Sequence, residues 1–573
     1  MRATVLHALL SSAVTLAALL SAALAPISAS AVSPAPAEGK RGMVVTTQRL
    51  ASEVGIKILE AGGNAVDAAV AVGYALAVVD PCCGNIGGGG FMTIRLADGR
   101  AVFVNFREKA PLKASRDMYL DAKGEVVPGR STRGYLAIGV PGTVLGLDTA
   151  LKKYGTMSRD AVMAPAIRLA DQGFVLARGD VDILNTATRS FTQEPNVAAI
   201  FLKSGRPYQP GDRLVQKDLA ATLERIAQDG PDAFYKGPVA DAIVEASQAH
   251  GGILTKEDFA RYDVEELKPV ECDYRGYHVI SAPPPSSGGV TLCEILNVLA
   301  PYPMGFLGFH SAIGIHYMVE AMRQAYVDRN NLLGDPDFVS MPLDRLLSQG
   351  YADKLRARIE PFRATPSSVL GPATPPHEGV NTTHYSIVDA KGNAVSTTYT
   401  INAYFGAKVI AGHTGFFLND EMDDFTSKPG APNLYGLVQG AANAIAPGKR
   451  PLSSMTPTIV TKDGKLFIVL GSPGGSRIIT ITLEALMNVV DYGMSVQEAV
   501  DAPRVHHQWL PDEVQYERGG LSRDTIERLQ EMGYSLHELG NWGAAEAIVV
   551  DPATGTLYGG SDDRHPAGAA IGY

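Results

Sequence analysis

Cysteine is scarce: Cys82, Cys83, Cys272 and Cys293 are the only four in 573 residues. That is too few for a disulfide scaffold. Export would permit one bridge, and adjacency argues against a bond between Cys82 and Cys83. No C-x-x-C or H-E-x-x-H spacing occurs, and His506-His507 alone does not make a metal site, so no metal is expected. Runs of Lys and Arg are also missing, and the net charge is -10. A mildly acidic chain without basic clusters is a poor partner for nucleic acid or an anionic membrane. Apolar stretches long enough to span a bilayer are absent too. The run from Ala13 to Ala25 falls short of the ~20 residues a transmembrane helix needs.

With 46% hydrophobic and 19% charged residues, the chain is globular and large enough for one big domain or several. Its beginning reads as a secretory signal: Arg2, the apolar run, then Ala29-Ser30-Ala31 in the A-x-A pattern. Cleavage is expected after Ala31, giving a periplasmic or secreted protein with no membrane span. Removing Arg2 shifts the net charge by one, from -10 to -11.

From Ala51 to Val79 the pattern predicts two helices broken at Gly62-Gly63, the second capped by Asn64 and carrying Asp67 in its first turn. That second helix is apolar on nearly every side, which suits burial between layers. A Gly-rich turn, GNIGGGGF, leads into strand-like alternation ending at Arg107. The region from about 115 to 300 alternates helical patterns with polar loops and offers little chemistry. The loop APPPSSGG at 282–289 has two serines but no G-x-S-x-G elbow. Residues 361–380, PFRATPSSVLGPATPPHEGV, have no periodicity and read as an exposed linker. No internal repeat is evident.

Directly after that linker comes NTTHYSIVDAKGNAVSTTYT, residues 381–400. Strand-favouring residues flank Ala390-Lys391-Gly392, a three-residue loop with Gly in the left-handed position. This loop pairs Asp389 with Asn393, and the same register sets Thr382 beside Thr400. A threonine hydroxyl is a weak nucleophile unless a base adjoins it, and its own α-amine can serve once the preceding peptide bond is cut. With an ordinary pKa near 8, that amine is largely neutral when slightly desolvated. Further along, the apolar strand KLFIVL feeds GSPGGSR at 471–477, where glycines leave backbone N-H groups open to an oxyanion. This turn matches neither phosphate-binding glycine pattern.

Seven longer phrases, GGNAVDAAVA, NFREKAP, TTHYSIVD, LNDEMDDF, KRPLSSMTPTIV, GSPGGSRIIT and APRVHHQWLPDE, resemble the γ-glutamyltranspeptidases. This family, also called glutathione hydrolases, belongs to the N-terminal nucleophile hydrolases. The resemblance runs from about Gly42 to Tyr573. It implies an α/β fold, the four-layer αββα sandwich, self-cleaved between Asn381 and Thr382. The products would be a large subunit (32–381) and a small one (382–573) that stay together as a heterodimer. It makes Thr382 the nucleophile, Thr400 the hydroxyl bonded to it, and Gly474 and Gly475 the oxyanion hole. Arg107, with Ser453 and Ser454, would bind the donor's α-carboxylate, an Arg fork being suited to a carboxylate. Asn402, Glu421 and Asp424 would hold its α-amino group, and Tyr435 would tip a lid loop at 428–440. Without the resemblance, LNDEMDDF reads as a solvated acidic turn.

The implied chemistry is γ-glutamyl transfer from glutathione or a related donor, through an ester on Thr382, to water or to an amino acid or dipeptide. It needs no cofactor. Two alternatives are a cephalosporin or glutaryl acylase of the same superfamily, against which Asp424 argues, and an unprocessed protein that binds γ-glutamyl compounds. One departure is the ending SDDRHPAGAAIGY, where relatives more often have Pro after the first Asp.

Overall fold

The computed structural model describes residues 33–371 and 382–573. The expected leader, its cleavage point, the second half of the linker and Asn381 lie outside the described residues.

Period-two burial builds the centre. In strand Met43–Thr46, Val44 packs toward helices while Met43 and Val45 face the opposite way, and Ile387 and Val388 divide in the same manner. Such alternation on completely buried strands requires a covering layer on each face. Two seven-stranded antiparallel sheets meet this need. The first runs in the order Ala569–Gly572, Met43–Thr46, Thr383–Val388, Ala394–Thr400, Gly89–Arg95, Ala101–Phe106, Glu265–Leu267. The second runs Ala37–Gly39, Leu557–Ser561, Glu546–Val550, Lys465–Gly471, Thr458–Lys462, Tyr277–Ser281, Val270–Tyr274. Between them lie Met43, Val45, Val388, Ala394, Ile459, Val469, Ile548 and Leu557. Burying each of the Val, Ile, Leu and Met side chains in this layer is worth about 1.5–3 kcal/mol.

Helices Arg49–Glu60, Ala65–Val79 and Thr143–Tyr154 cover the outer face of the first sheet. Helices Gly288–Leu299 and Ile478–Val490 cover the second, with Ala312–Leu332 packed on Gly288–Leu299. The layer order is therefore αββα, as expected. Ala65–Val79 is buried along its whole length and opens with a capping box between Asn64 and Asp67, which satisfies two of its otherwise orphaned N-H groups. Among the described residues no helix is long and apolar enough to cross a membrane.

The hairpin has the expected register. Asp389 N-H donates to the Asn393 carbonyl at 3.0 Å, Gly392 has φ +82°, and Thr383 pairs with Tyr399. Strand Ala394–Thr400 then pairs with Gly89–Arg95, so the hairpin occupies the middle of the first sheet.

Two expectations fail. Cys82 and Cys83 are bridged to one another, and a second bridge joins Cys272 to Cys293. The chain turns tightly after helix Ala65–Val79, with Cys83 N-H donating to the Asp80 carbonyl at 3.2 Å. This turn brings both sulfurs to one side, which adjacency in an extended chain would prevent. The linker is also more anchored than expected: Ser367 is buried, its N-H donates to Asp512 at 2.7 Å and its hydroxyl to the Trp509 carbonyl at 2.7 Å.

Candidate active site

Thr382 precedes strand Thr383–Val388 by one residue, so the hairpin register carries it opposite Thr400. Both line one cavity, together with Arg107, Asn402, Glu421, Asp424, Tyr435, Ser453, Ser454 and Gly475. Nine of the ten residues assigned above to catalysis and donor binding thus converge, with Tyr435 beside them. The tenth, Gly474, sits next to Gly475.

The glycines earn their place through backbone shape. Gly474 has φ +149° and Gly475 φ +57°, conformations that L side chains rarely adopt. They open the one-turn helix Gly475–Arg477, which continues into Ile478–Val490. Gly475, Ser476 and Ile478 all border the cavity, so the positive end of a helix faces Thr382's surroundings.

Arg107, at the end of strand Ala101–Phe106, is fully buried. Its Nε donates to the Pro451 carbonyl at 3.2 Å, and its two terminal nitrogens pair with Glu421 and Asp424. Burial would lower its pKa, but Glu421, Asp424 and Glu108 together raise it. Burial pushes Glu421 and Asp424 up against the pull of Arg107, and it lifts Glu108 to about 7. The acidic phrase is therefore not a solvated turn: Asp420, Glu421 and Asp423 are buried. Asp423 accepts from Ser131 at 2.6 Å and from Leu434 N-H at 2.8 Å, which ties the 428–440 segment to this carboxylate.

Asn402 donates to the Asp420 carbonyl at 3.0 Å and accepts from the Tyr435 hydroxyl. Its N-H donates to Thr400 Oγ1 at 2.9 Å. The Tyr435 hydroxyl thus ties the 428–440 segment to a residue of the cavity wall.

Ser453 and Ser454 rest on the Pro-rich loop. Ser287 N-H and hydroxyl both donate to the Ser453 carbonyl, at 2.8 and 2.6 Å, and Ser286 Oγ donates to the Met455 carbonyl at 2.6 Å. The two serines that lacked a nucleophile motif are braces for this wall.

Sequence reasoning missed Arg329. It lines the cavity from helix Ala312–Leu332 and donates to Ser454 Oγ at 3.1 Å, Ser287 Oγ at 3.2 Å and Gln439 Oε1 at 2.9 Å. Burial lowers its pKa to about 10. Polar residues in that helix do not segregate to one face, so no periodicity marks it. Among the described residues, Asp80, Cys82 and Cys83 are grouped closely enough to hold a metal, but both sulfurs are already in a disulfide.

Residues 51–572 match the family model described as Gamma-glutamyltranspeptidase. The chain is 60% identical over 552 residues to the glutathione hydrolase proenzyme of Pseudomonas sp. (strain A14), covering 95% of this chain and 96% of that relative. A cephalosporin acylase from Bacillus halodurans superposes with a TM-score of 0.83 at 29% identity, covering 96% of this chain and 99% of its own. The Helicobacter pylori gamma-glutamyltranspeptidase gives a TM-score of 0.56 at 50% identity, covering 56% of this chain and 93% of its own. A match across nearly the whole chain, joined to one cavity that gathers the motif residues, places this protein in the gamma-glutamyltranspeptidase family.

Proposed function

We propose that this protein is an exported γ-glutamyl hydrolase and transferase that matures by cutting itself between Asn381 and Thr382. The observation that carries the reading is the charge arrangement in the cavity: the buried Arg107 guanidinium paired with two carboxylates, beside a threonine pair. A γ-glutamyl group ends in an α-carboxylate and an α-ammonium. It would exchange the Arg107 pairs for its own, with its carboxylate on Arg107, Ser453 and Ser454 and its ammonium on Asn402, Glu421 and Asp424. Buried charges need such compensation.

With the donor seated, Thr382 Oγ attacks the γ-carbonyl and its α-amine accepts the hydroxyl proton. N-H groups at Gly474 and Gly475 stabilise the oxyanion, an effect worth roughly 3 kcal/mol per well-aimed donor. The amine then protonates the leaving nitrogen, which departs and leaves a γ-glutamyl ester on Thr382. Water or an amino acid or dipeptide amine resolves this ester, and Thr400 orients the nucleophile throughout. Self-cleavage uses the same hydroxyl against the carbonyl of Asn381. The large (32–381) and small (382–573) subunits remain paired through shared sheets. The word proenzyme in the Pseudomonas relative's name supports maturation by cleavage.

The acylase reading draws on the Bacillus halodurans structure. The carboxylates of Glu421 and Asp424 favour a donor that bears an ammonium. Two measurements test the proposal: the intact mass under denaturing conditions, and p-nitroaniline release from γ-glutamyl and glutaryl p-nitroanilides. Two chains divided at Asn381 and Thr382, with preference for the γ-glutamyl donor, are expected. An uncut chain without turnover would overturn the enzyme reading, and preference for glutaryl would favour the acylase.

A further inference from the structure

The turn Asp80-Pro81-Cys82-Cys83-Gly84 lines no part of the cavity, yet it touches both arms of the hairpin behind it. The Cys82 carbonyl accepts from Phe405 N-H at 2.8 Å and the Cys83 carbonyl from Ile401 N-H at 3.0 Å. Buried Asp80 accepts from Thr47 at 3.2 Å and from Thr383 at 3.3 Å. A methyl group on Gly84 would lie 2.2 Å from Thr383 Cγ2 and 2.5 Å from the Tyr399 ring. The turn is fitted against the chain neighbours of Thr382 and Thr400.

The segment it holds is strained. Asn402 has φ +73° and Phe405 φ +63°, left-handed conformations that cost non-glycine residues about 1–3 kcal/mol each and persist only when surroundings over-determine them. Besides the Thr400 and Tyr435 bonds to Asn402, four fasteners do so here. Ile401 and Phe405 N-H groups reach the two cysteine carbonyls, Ala403 N-H reaches Asp420 Oδ1 at 2.9 Å, and the Asn402 side chain reaches the Asp420 carbonyl. Two of these bonds end on two consecutive peptide units, and the Cys82–Cys83 bond closes a small ring through the peptide between them.

We propose that the Cys82–Cys83 disulfide is a positioning element of the donor site: by fixing two consecutive carbonyls, it holds the strained turn at 401–405 so that Asn402 meets the donor's ammonium. The inference rests on the γ-glutamyl reading of the site. Opening the bond takes two electrons and two protons. Added dithiothreitol supplies them and leaves as its cyclic disulfide, while Cys82 and Cys83 become thiols. The turn then gains torsional freedom and Asn402 loses its fixed direction.

The test is steady-state kinetics on γ-glutamyl and glutaryl p-nitroanilides with four samples. These are the oxidised mature protein, the same protein after dithiothreitol with both new thiols alkylated in the unfolded digest to verify reduction, the Cys82→Ala/Cys83→Ala variant, and the Cys272→Ala/Cys293→Ala variant. Misdirecting one hydrogen bond to an ammonium should raise the γ-glutamyl KM about tenfold in the second and third samples. The glutaryl KM, which does not use Asn402, should stay near the parent value, and the Cys272/Cys293 variant should keep both. Unchanged γ-glutamyl KM, or an equal rise for both donors, would overturn the proposal. Should the Cys82/Cys83 variant fail to fold, the reduced mature protein decides by the same criterion. A parent that turns over neither donor overturns the γ-glutamyl reading itself, and this inference with it.

Discussion

Replacing Asp424 by Asn tests the charge logic of the cavity most directly. The side chain is nearly buried, 13% exposed, and pairs with one terminal nitrogen of Arg107. In the proposed complex it would instead face the donor's ammonium. A hydrogen bond to a charged group contributes about 1.5–3 kcal/mol, which corresponds to roughly 10–150-fold in kcat/KM for a γ-glutamyl donor. Coulomb attraction between charges ~4 Å apart at an effective dielectric of ~20 sets an upper limit near 4 kcal/mol. A second effect opposes the first. Without Asp424's charge, Arg107 has one competitor fewer, so any donor carboxylate binds it more readily. A glutaryl donor has the carboxylate but lacks the ammonium, and it should therefore keep or improve its kcat/KM. The assay is p-nitroaniline release from both p-nitroanilides by mature parent and Asp424→Asn, at one pH and one ionic strength. An equal fall for both donors would refute the assignment of Asp424 to the ammonium.

Gly474→Ala should lower kcat by about 10²–10³-fold while leaving KM near the parent value, because φ +149° resists a side chain and the turn would rotate its N-H groups away from the oxyanion. Stopped or steady-state turnover at saturating donor checks this, and a change confined to KM would count against it. Stability toward acid should depend on His384. Burial lowers its pKa to about 3, so between that value and the ordinary 6.5 the unfolded chain binds the extra proton and stability falls as pH falls. The ceiling on this loss is about 5 kcal/mol at 1.36 kcal/mol per unit. Urea denaturation between pH 3 and pH 7 should give a flatter dependence for His384→Gln than for the parent, and parallel curves would exclude His384 as a source.

How much of this was legible beforehand depends on how local the determinant is. The hairpin could be read because Ala390-Lys391-Gly392 fixes its own register, and the register then pairs Thr382 with Thr400. The helix Ala65–Val79 was legible for the same reason, since its cap and apolar run lie within it. LNDEMDDF was not legible by composition. Glu421 and Asp424 meet Arg107, 314 residues away from Glu421 in sequence, and Asp423 meets Ser131, partners that only the fold brings near. Arg329 escaped notice because nothing near it marks the position as facing a cavity. The Cys82–Cys83 bond went against expectation because adjacency suggests extension, whereas the turn after the helix folds the pair onto itself.

The strand order has a consequence for how a matured protein would lose and regain its structure. In the first sheet, Met43–Thr46 lies between Ala569–Gly572 and Thr383–Val388, and Ala394–Thr400 pairs with Gly89–Arg95. In the second, Leu557–Ser561 pairs with Ala37–Gly39 and Thr458–Lys462 with Tyr277–Ser281. Segments from either side of residue 381 are thus interleaved as neighbours in both sheets. Before the cut, refolding is an event within one chain, independent of concentration. After it, the same strands must find each other across two molecules, so recovery becomes second order and slows with dilution. The cut that would free the nucleophile's amine would therefore also convert thermodynamic reversibility into kinetic persistence, and the lifetime of the matured form would be set by its unfolding rate.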